Sequence, residues 1–323
     1  MPTMLPESCL SLVRIQSGVL SRNQALDNGL PPDVVDRYVR SGRWQIIQRG
    51  VYCVFNGPLA REATLWAAVH RAGPGAVLSH ETAAELFKLT DQASSLIHLT
   101  IPENRRVSRI PGVALHYSSQ LADAVHPSQL PPRTRIEQTV LDLAGQATSF
   151  DAAFDVACQA CQRGLTVPAR IAEAMDKRSR QRWRRELTLA LRDVSAGVHS
   201  VLEYRYVHKV ERPHGLPEAI RQARVIDGKV SRYLDNLYSD YGLCVELDGQ
   251  QAHPEHQRWA DQRRLNAIAE QGISTLRHGW VDIDRRACQV AAQVVGVLRR
   301  LGWTGSPHSC GIDCQARRKS GTG

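Results

Sequence analysis

The chain has 323 residues, of which 42% are hydrophobic and 23% are charged, and its formal net charge at pH 7 is +9. This composition is typical of globular proteins, and the length allows two or three domains. No stretch approaches the roughly 18 uncharged apolar residues of a transmembrane helix. Glu7 and Arg14 interrupt the first apolar stretch, so we expect no signal peptide, no membrane partner and a cytoplasmic protein.

Residues 1–57 have the pattern of a winged helix-turn-helix. Ser21 is a suitable N-cap for the second helix, and glycines end the helices. The pattern predicts three helices and two short strands, over residues 7–16, 22–27, 32–40, 44–47 and 51–55. Because such a fold places its last helix in the major groove, we predict that four arginines contact nucleic acid: Arg37, Arg40, Arg43 and Arg49. Asp33 and Asp36 lie on the same helix and weaken the electrostatic case for DNA binding. The alternative is a small helical adaptor that does not bind DNA.

Residues 58–165 alternate predicted helices and strands, which indicates an α/β middle domain. Helices are predicted over 80–89, 134–144 and 152–162, and strands over 96–101 and 113–117. We identify no catalytic group here. His80 and Glu81, adjacent at a helix start, are interpreted as structural hydrogen-bonding residues. The region therefore suits sensing, docking or dimerisation.

Residues 166–194 are predicted to be a basic helical linker. Six of the nine residues in 177–185 are Lys or Arg. Such a run favours a polyanionic partner, although a solvated helix face explains it equally well.

Residues 233–249 read as a β-hairpin with a four-residue turn at 239–242. In that register Tyr238 faces Leu243, and Asp235 lies opposite Glu246. Asp248 joins them, because side chains two residues apart share a strand face. Opposed carboxylates repel and need a compensating cation. We therefore predict a site for Mg²⁺ or Mn²⁺ at Asp235, Glu246 and Asp248.

The rest of residues 195–303 supplies further candidates for this chemistry. Helices are predicted over 186–194, 200–210, 257–271 and 287–301, and strands over 223–225, 231–237 and 273–276. His253 has a side chain suited to accept a proton near neutral pH. Arg263 and Arg264 carry the planar guanidinium groups that bind phosphate well.

Two resemblances to known families rest on short motifs. Residues 10–165, with Gly18-Val-Leu-Ser-Arg, Gln48-Arg-Gly-Val-Tyr and Leu78-Ser-His-Glu-Thr-Ala-Ala-Glu-Leu, resemble the AbiEi-type antitoxins. These are winged-helix proteins of abortive-infection toxin–antitoxin systems. The resemblance implies DNA binding and a cognate toxin as partner, and winged-helix regulators of this kind often act as homodimers.

Residues 195–303 resemble the Vsr-like branch of the PD-(D/E)XK nucleases, through Val245-Glu-Leu-Asp-Gly, a following His, and Asp261 with Arg264. The resemblance implies a restriction-endonuclease-like three-layer domain with a mixed sheet. Asp235 and Glu246 would hold Mg²⁺ with Asp248 nearby, Glu203 would reach in from a helix, and His253 would orient or activate water. Arg264 would hold phosphate or a carboxylate. Asp248 occupies the position that is usually lysine, and Ala252 separates Gln251 from His253 where the branch often has an adjacent Gln-His pair.

We therefore expect a multidomain α/β protein that cleaves or nicks nucleic acid, most readily double-stranded DNA, in phage defence or DNA repair. The alternative is a non-catalytic DNA-binding regulator or antitoxin. A nuclease that acts on RNA is a third interpretation, and no residue of the sequence distinguishes it from the DNA nuclease. The eight cysteines are interpreted mainly as reduced core residues. Residues 304–323 form a predicted flexible tail, whose His308, Cys310 and Cys314 have a spacing that matches no standard zinc pattern closely.

Overall fold

The computed structural model describes residues 5–195, 197–227, 230–248, 266–312 and 314–316. It is a mixed α/β structure with three separate sheets, and the chain divides into two compact units, Met1–Arg184 and Arg185–Gly323. That division lies within the predicted linker 166–194, and the finer domain boundaries stay predictions. No helix in the described ranges is long and apolar enough to cross a membrane.

The N-terminal unit begins with three helices and a small sheet. The helices are α1 (Glu7–Ile15), α2 (Arg22–Asp27) and α3 (Pro32–Arg40), and the strands are β1 (Val19–Ser21), β2 (Gln45–Gln48) and β3 (Val51–Cys53). The sheet order is β1-β3-β2, all antiparallel. Ser21 caps α2 as predicted: its Oγ accepts from Gln24 N at 3.1 Å, and Gln24 Oε1 accepts from Ser21 N at 3.1 Å. Strand β1 was not predicted.

The remainder of the N-terminal unit surrounds a second three-stranded sheet. Its elements are α4 (Arg61–Ala72), β4 (Val77–Leu78), α5 (His80–Leu86), β5 (Ile97–Pro102), β6 (Val113–Ser118), α6 (Leu121–Ala124), α7 (Ile136–Gln146), α8 (Phe150–Gln162) and α9 (Pro168–Asp176). The order is β4-β5-β6, with β5 and β6 parallel. Helix α5 ends three residues before its predicted end, where Lys88 has φ +56°.

The C-terminal unit is built on a mixed four-stranded sheet. Its elements are α10 (Arg184–Ser195), α11 (Val201–Arg205), a π-helical segment (Tyr206–Glu211), β7 (Ile220–Asp227), β8 (Val230–Tyr238), β9 (Leu243–Asp248), α12 (described over 266–270), β10 (Ser274–Gly279), α13 (Trp280–Arg285) and α14 (Ala287–Arg300). The sheet order is β10-β9-β8-β7, and β10 alone runs parallel to its neighbour.

The predicted hairpin register is confirmed. Tyr238 pairs with Leu243, Leu237 with Cys244, and Asn236 with Val245. The loop is a 3₁₀ turn over Ser239–Tyr241 that closes at Gly242, whose φ of +61° is favourable for glycine.

Each face of this sheet is covered by apolar side chains. Leu243 and Val245 lie on one face, in a core with residues of the π-helical segment, α13 and α14. Cys244 and Leu234 lie on the other face with Ile268 of α12. The first face is the core that the alternation of β9 predicts. Along β9, Glu246 and Asp248 alternate with the core residues and lie on the same face as Cys244, whose Sγ is 3.4 Å from Glu246 Oε1.

Candidate active site

The predicted acidic residues Asp235, Glu246 and Asp248 lie on the paired strands β8 and β9 of the hairpin. Glu246 is buried, with 5% of its surface exposed, Asp235 is half-buried, and Asp248 is exposed at the end of β9. Leu247 N donates a hydrogen bond to Asp235 Oδ2 at 2.8 Å, which ties the Asp235 carboxylate to the neighbouring strand. That the three carboxylates bind a metal ion stays a prediction.

Glu203 lies in the first turn of α11 and is buried, with 6% of its surface exposed. Ser200 caps this helix, because its Oγ accepts from Glu203 N at 3.1 Å. Glu203 Oε2 accepts from His199 N at 2.8 Å, and Ser200 Oγ lies 3.3 Å from Glu203 Oε1. These bonds hold the carboxylate, and they also give Glu203 a structural role at the helix start.

Gln222 connects Glu203 to the hairpin, and the sequence analysis did not identify it. Its Nε2 lies 3.2 Å from Glu203 Oε1 and 3.3 Å from Asp235 Oδ1, so one amide donates towards both carboxylates. Gln222 has φ +47°, a backbone conformation that is uncommon for a residue other than glycine. Strained residues of this kind concentrate at functional sites. The local sequence carries no signal for this role.

Glu203 is in an environment that disfavours its negative charge. Burial, with a smaller contribution from the nearby Asp235, raises the pKa of Glu203 to about 7 against the lowering effect of the His199 hydrogen bond. Cys244 Sγ lies 3.4 Å from Glu246 Oε1, and burial together with Glu246 raises the pKa of the Cys244 thiol. Cys244 is therefore a neutral thiol beside a buried carboxylate.

A cation lies near Asp248. Arg277 of β10 is in parallel register with Glu246, and its Nε lies 3.9 Å from Asp248 Oδ2. Asp248 is thus exposed and partly compensated. This arrangement places Asp248 at the rim of the acidic face, whereas Glu246 lies within it.

Carboxylate oxygens are the ligands that a hard divalent cation prefers, but the carboxylates of this site do not form one compact group. Mg²⁺ is held in proteins by one or two carboxylates together with water and substrate oxygens, and Asp235 with Glu246 provides such a pair. Among the described residues, the groups of three or more ligand atoms within 4.8 Å of one another do not include Glu203, Asp235 and Glu246. A cation at this face would therefore rest on two carboxylates at a time.

Four of the predicted residues lie outside the described ranges: His253, Asp261, Arg263 and Arg264. Their parts as proton acceptor and phosphate ligands stay predictions.

A second candidate surface lies on the N-terminal unit. Four arginines of α3, the following turn and the β2–β3 turn have exposed side chains, as predicted: Arg37, Arg40, Arg43 and Arg49. Asp36, which in the sequence weakens the case for DNA binding, forms an ion pair with Arg22 of α2, with Nη1 and Oδ1 2.7 Å apart. That pair compensates one of the two acidic residues of α3.

The basic run 177–185 is partly used in packing. Arg178 is half-buried and donates to Asp142 Oδ1 at 2.6 Å and to Gln138 Oε1 at 2.7 Å. Four of its basic residues are exposed: Lys177, Arg180, Arg182 and Arg185. A polyanion would therefore meet a smaller cationic group than the sequence suggests.

The middle region also brings together three histidines that the sequence leaves apart. His98 Nδ1 and His116 Nε2 are 3.1 Å apart, and the His80 and His116 rings stack with centroids 3.7 Å apart. His80 Nδ1 lies 2.9 Å from Ser79 Oγ, so Ser79 contacts the ring and does not cap α5. Burial lowers the pKa of His80 to about 3 and that of His116 to about 4. His80 and His116 border a cavity of about 1520 Å³.

The chain was compared with protein-family models, with curated proteins and with solved structures. No family model matches it, and no curated protein matches it. Among solved structures it is similar to the crystal structure of the RV2827C protein from Mycobacterium tuberculosis, with 16% identity and a TM-score of 0.40. That similarity covers 58% of this chain and 76% of the other, and a TM-score this low supports no argument about function.

Proposed function

We propose that this protein is a DNA-binding endonuclease that hydrolyses phosphodiester bonds with Mg²⁺ or Mn²⁺. The observation that carries the proposal is that Asp235 and Glu246, on the paired strands β8 and β9, add to the effect of burial and raise the pKa of the Cys244 thiol, while Gln222 joins Asp235 to the buried Glu203. A surface that only binds DNA gains nothing from carboxylates directed at phosphate, because the two repel.

Each residue has a defined part in this proposal. Asp235 and Glu246 hold the cation, and the Leu247 N–H fixes the orientation of the Asp235 carboxylate. When bound there, the ion acts as a Lewis acid and lowers the pKa of a coordinated water. Glu203, whose pKa is about 7, exchanges a proton near neutral pH. His253 accepts a proton from the attacking water, and Arg263 and Arg264 bind phosphate.

The proposal also covers the fold of each domain and the part of the protein that binds DNA. Residues 1–57 form a winged helix that binds double-stranded DNA through Arg37, Arg40, Arg43 and Arg49, supported by the exposure of all four. Residues 58–165 form an antitoxin-like domain, and residues 195–303 form a restriction-endonuclease-like domain of the Vsr-like branch. The protein would then act in the cytoplasm, in phage defence or DNA repair.

One observation favours a second candidate, a non-catalytic DNA-binding regulator or antitoxin with a cognate toxin. The position that usually carries lysine in the superfamily is Asp248, and in the structure it is exposed beside Arg277. A domain of this kind, which lacks the lysine, could retain the fold and only bind DNA, as a monomer or as a homodimer on paired half-sites.

Cleavage of supercoiled plasmid tests the proposal. We expect metal-dependent nicking by the wild-type protein that EDTA abolishes. Removing a residue that only orients a metal ligand usually costs roughly 10- to 100-fold in activity. Asp235→Asn and Glu246→Gln change the proposed ligands themselves, so each should lower the nicking rate by more than that.

The matched control is Asp240→Asn, in the exposed turn of the same hairpin, which should nick at the wild-type rate. If the wild-type protein shifts plasmid DNA in a gel but does not nick it with Mg²⁺ or Mn²⁺, the nuclease proposal is wrong and the non-catalytic regulator takes its place.

A further inference from the structure

Four side chains suited to metal binding converge in the C-terminal unit, away from the residues assigned to phosphodiester hydrolysis. They are His214, Cys288, Cys310 and Cys314. One ligand atom from each lies within 4.8 Å of the other three, and Cys288 Sγ is 3.3 Å from Cys310 Sγ. They come from the turn after the π-helical segment, the first turn of α14 and the C-terminal tail. No short sequence motif contains all four.

The structure corrects the metal-binding set that the tail suggests. The sequence places His308 beside Cys310 and Cys314, but His308 is not among the four converging residues. The ring of His308 packs over Gly215, where an added Cβ would lie 2.7 Å from Nδ1. The backbone N–H of His308 donates to His214 O at 2.8 Å. His308 therefore holds the tail against the turn that carries His214.

His214 has the environment of a metal ligand. It is fully buried, and its Nδ1 lies 2.8 Å from the carbonyl oxygen of Val210. Because a carbonyl only accepts, Nδ1 carries the proton and Nε2 presents its lone pair. Nε2 has no hydrogen-bond partner among the described residues. A buried polar atom without a partner is costly, and metal-binding histidines typically donate their other N–H to a carbonyl or carboxylate.

The spacing of the four atoms fits a tetrahedral ion. Zinc–sulfur bonds of about 2.3 Å and zinc–nitrogen bonds of about 2.0 Å give ligand–ligand distances of about 3.5–3.8 Å in a tetrahedron, and the four atoms here lie within 4.8 Å of one another. A disulfide between Cys288 and Cys310 would satisfy only two of the four residues and would leave His214 Nε2 unpaired. We propose that His214, Cys288, Cys310 and Cys314 bind one structural zinc ion.

This zinc would fasten the tail to the core of the C-terminal unit. Cys314 and Ala316 belong to the same buried cluster as Val210 and Leu298, so the ion joins the segment before β7, the start of α14 and the last described residues. Four protein ligands fill a tetrahedral shell, which is the arrangement of structural sites and leaves no position for substrate. Within the predicted flexible tail, Cys314 and Ala316 are buried in this cluster.

Metal analysis of the full-length protein tests the proposal. Protein purified without added metal and dialysed should contain about one zinc ion per chain. Cys310→Ser and Cys314→Ser should each lower the zinc content clearly below that of the wild type, because each variant removes one of the four ligands. The matched control is Cys161→Ser in α8, a half-buried cysteine outside the group, which should retain the wild-type zinc content.

Cobalt substitution keeps the test valid if the serine variants do not fold. Wild-type protein stripped of zinc and titrated with Co²⁺ should show thiolate-to-cobalt charge transfer and the visible bands of a tetrahedral site, and both should disappear when Zn²⁺ is added. Three results would overturn the proposal: wild-type protein with neither zinc nor this spectrum, full zinc content in Cys310→Ser, or an iron–sulfur chromophore in its place.

Discussion

Glu203 is an acidic residue whose charge changes near neutral pH. Its pKa is raised from the usual 4.5 to about 7, first by burial and then by Asp235, whereas the His199 N–H, Ser200 and Arg221 oppose that rise. At pH 6 the folded protein therefore holds this side chain mostly neutral. Above pH 7 it carries a buried negative charge beside Asp235, and that charge is what a bound cation would compensate.

We predict that Glu203→Gln removes a pH dependence of stability. The folded-state pKa exceeds the unfolded value, so the stability linked to neutral Glu203 is fully present below about pH 4.5 and is lost as the pH rises through 7. The shift corresponds to at most about 3 kcal/mol in the free energy of unfolding. Urea denaturation of both proteins without divalent metal, from pH 4.5 to 8, measures the difference; parallel pH profiles would contradict it.

The residues of the site differ in how far the sequence reveals them. Asp235 and Glu246 are predictable because strand alternation and a four-residue turn fix which residues face each other. Gln222 is not, since its role depends on a positive φ and on the pairing of β7 with β8. His214 and Cys288 are far apart in the chain, and only the packing of α14 against the π-helical segment brings them together. Local patterns report pairing within a hairpin, not contacts between distant elements.

At the scale of elements, strand β7 is fastened to the π-helical segment by a buried polar network. The Arg221 guanidinium pairs with the Glu211 carboxylate and donates to Asn236 Oδ1 at 2.7 Å. Asn236 Nδ2 in turn donates to Val245 O at 3.1 Å, and the Tyr206 and Tyr238 hydroxyls lie 2.8 Å apart. Because these groups are almost completely buried, the three elements depend on one another for hydrogen bonding.

We predict that Arg221→Met lowers the free energy of unfolding by about 3–5 kcal/mol, because it leaves the Glu211 carboxylate buried without its cation. Adding Glu211→Leu to that variant should restore much of the stability, since two apolar side chains replace the pair. Glu218→Gln, exposed between these elements, is the control and should be neutral. Urea unfolding measures all four proteins; an Arg221→Met protein as stable as the wild type would show that the network contributes little.

Some elements were predicted closely, whereas α4, β4, α6 and α13 were not predicted. Helices α3 and α14 match their predicted spans within one residue, because apolar spacing and flanking Pro or Gly define them. The predicted helix 200–210 is α-helical only to Arg205 and then widens into a π-helix over Tyr206–Glu211. Six residues are too few for periodicity to separate the two forms. The short β1 was missed because three residues carry no alternation.

At the scale of the whole molecule, the proposal separates DNA affinity from DNA cleavage. The exposed arginines belong to the N-terminal unit, and the acidic face belongs to the C-terminal unit. Phosphate contacts dominate affinity for DNA and make it depend on salt, whereas carboxylates that bind a cation contribute chemistry. Substitutions in the two units should therefore change different measured quantities.

We predict that the double variant Arg40→Ala with Arg49→Ala binds duplex DNA more weakly than the wild type. The slope of log K against log salt concentration should become shallower by about 0.9 for each phosphate that the variant no longer neutralises. Arg106→Ala with Arg109→Ala removes the same charge from two other exposed positions of the N-terminal unit and should leave the slope unchanged. Asp235→Asn should retain wild-type affinity and slope. Fluorescence anisotropy over a salt series measures all four proteins. Equal weakening by the two arginine pairs would mean that net charge attracts DNA and that α3 and the β2–β3 turn form no specific DNA-binding surface.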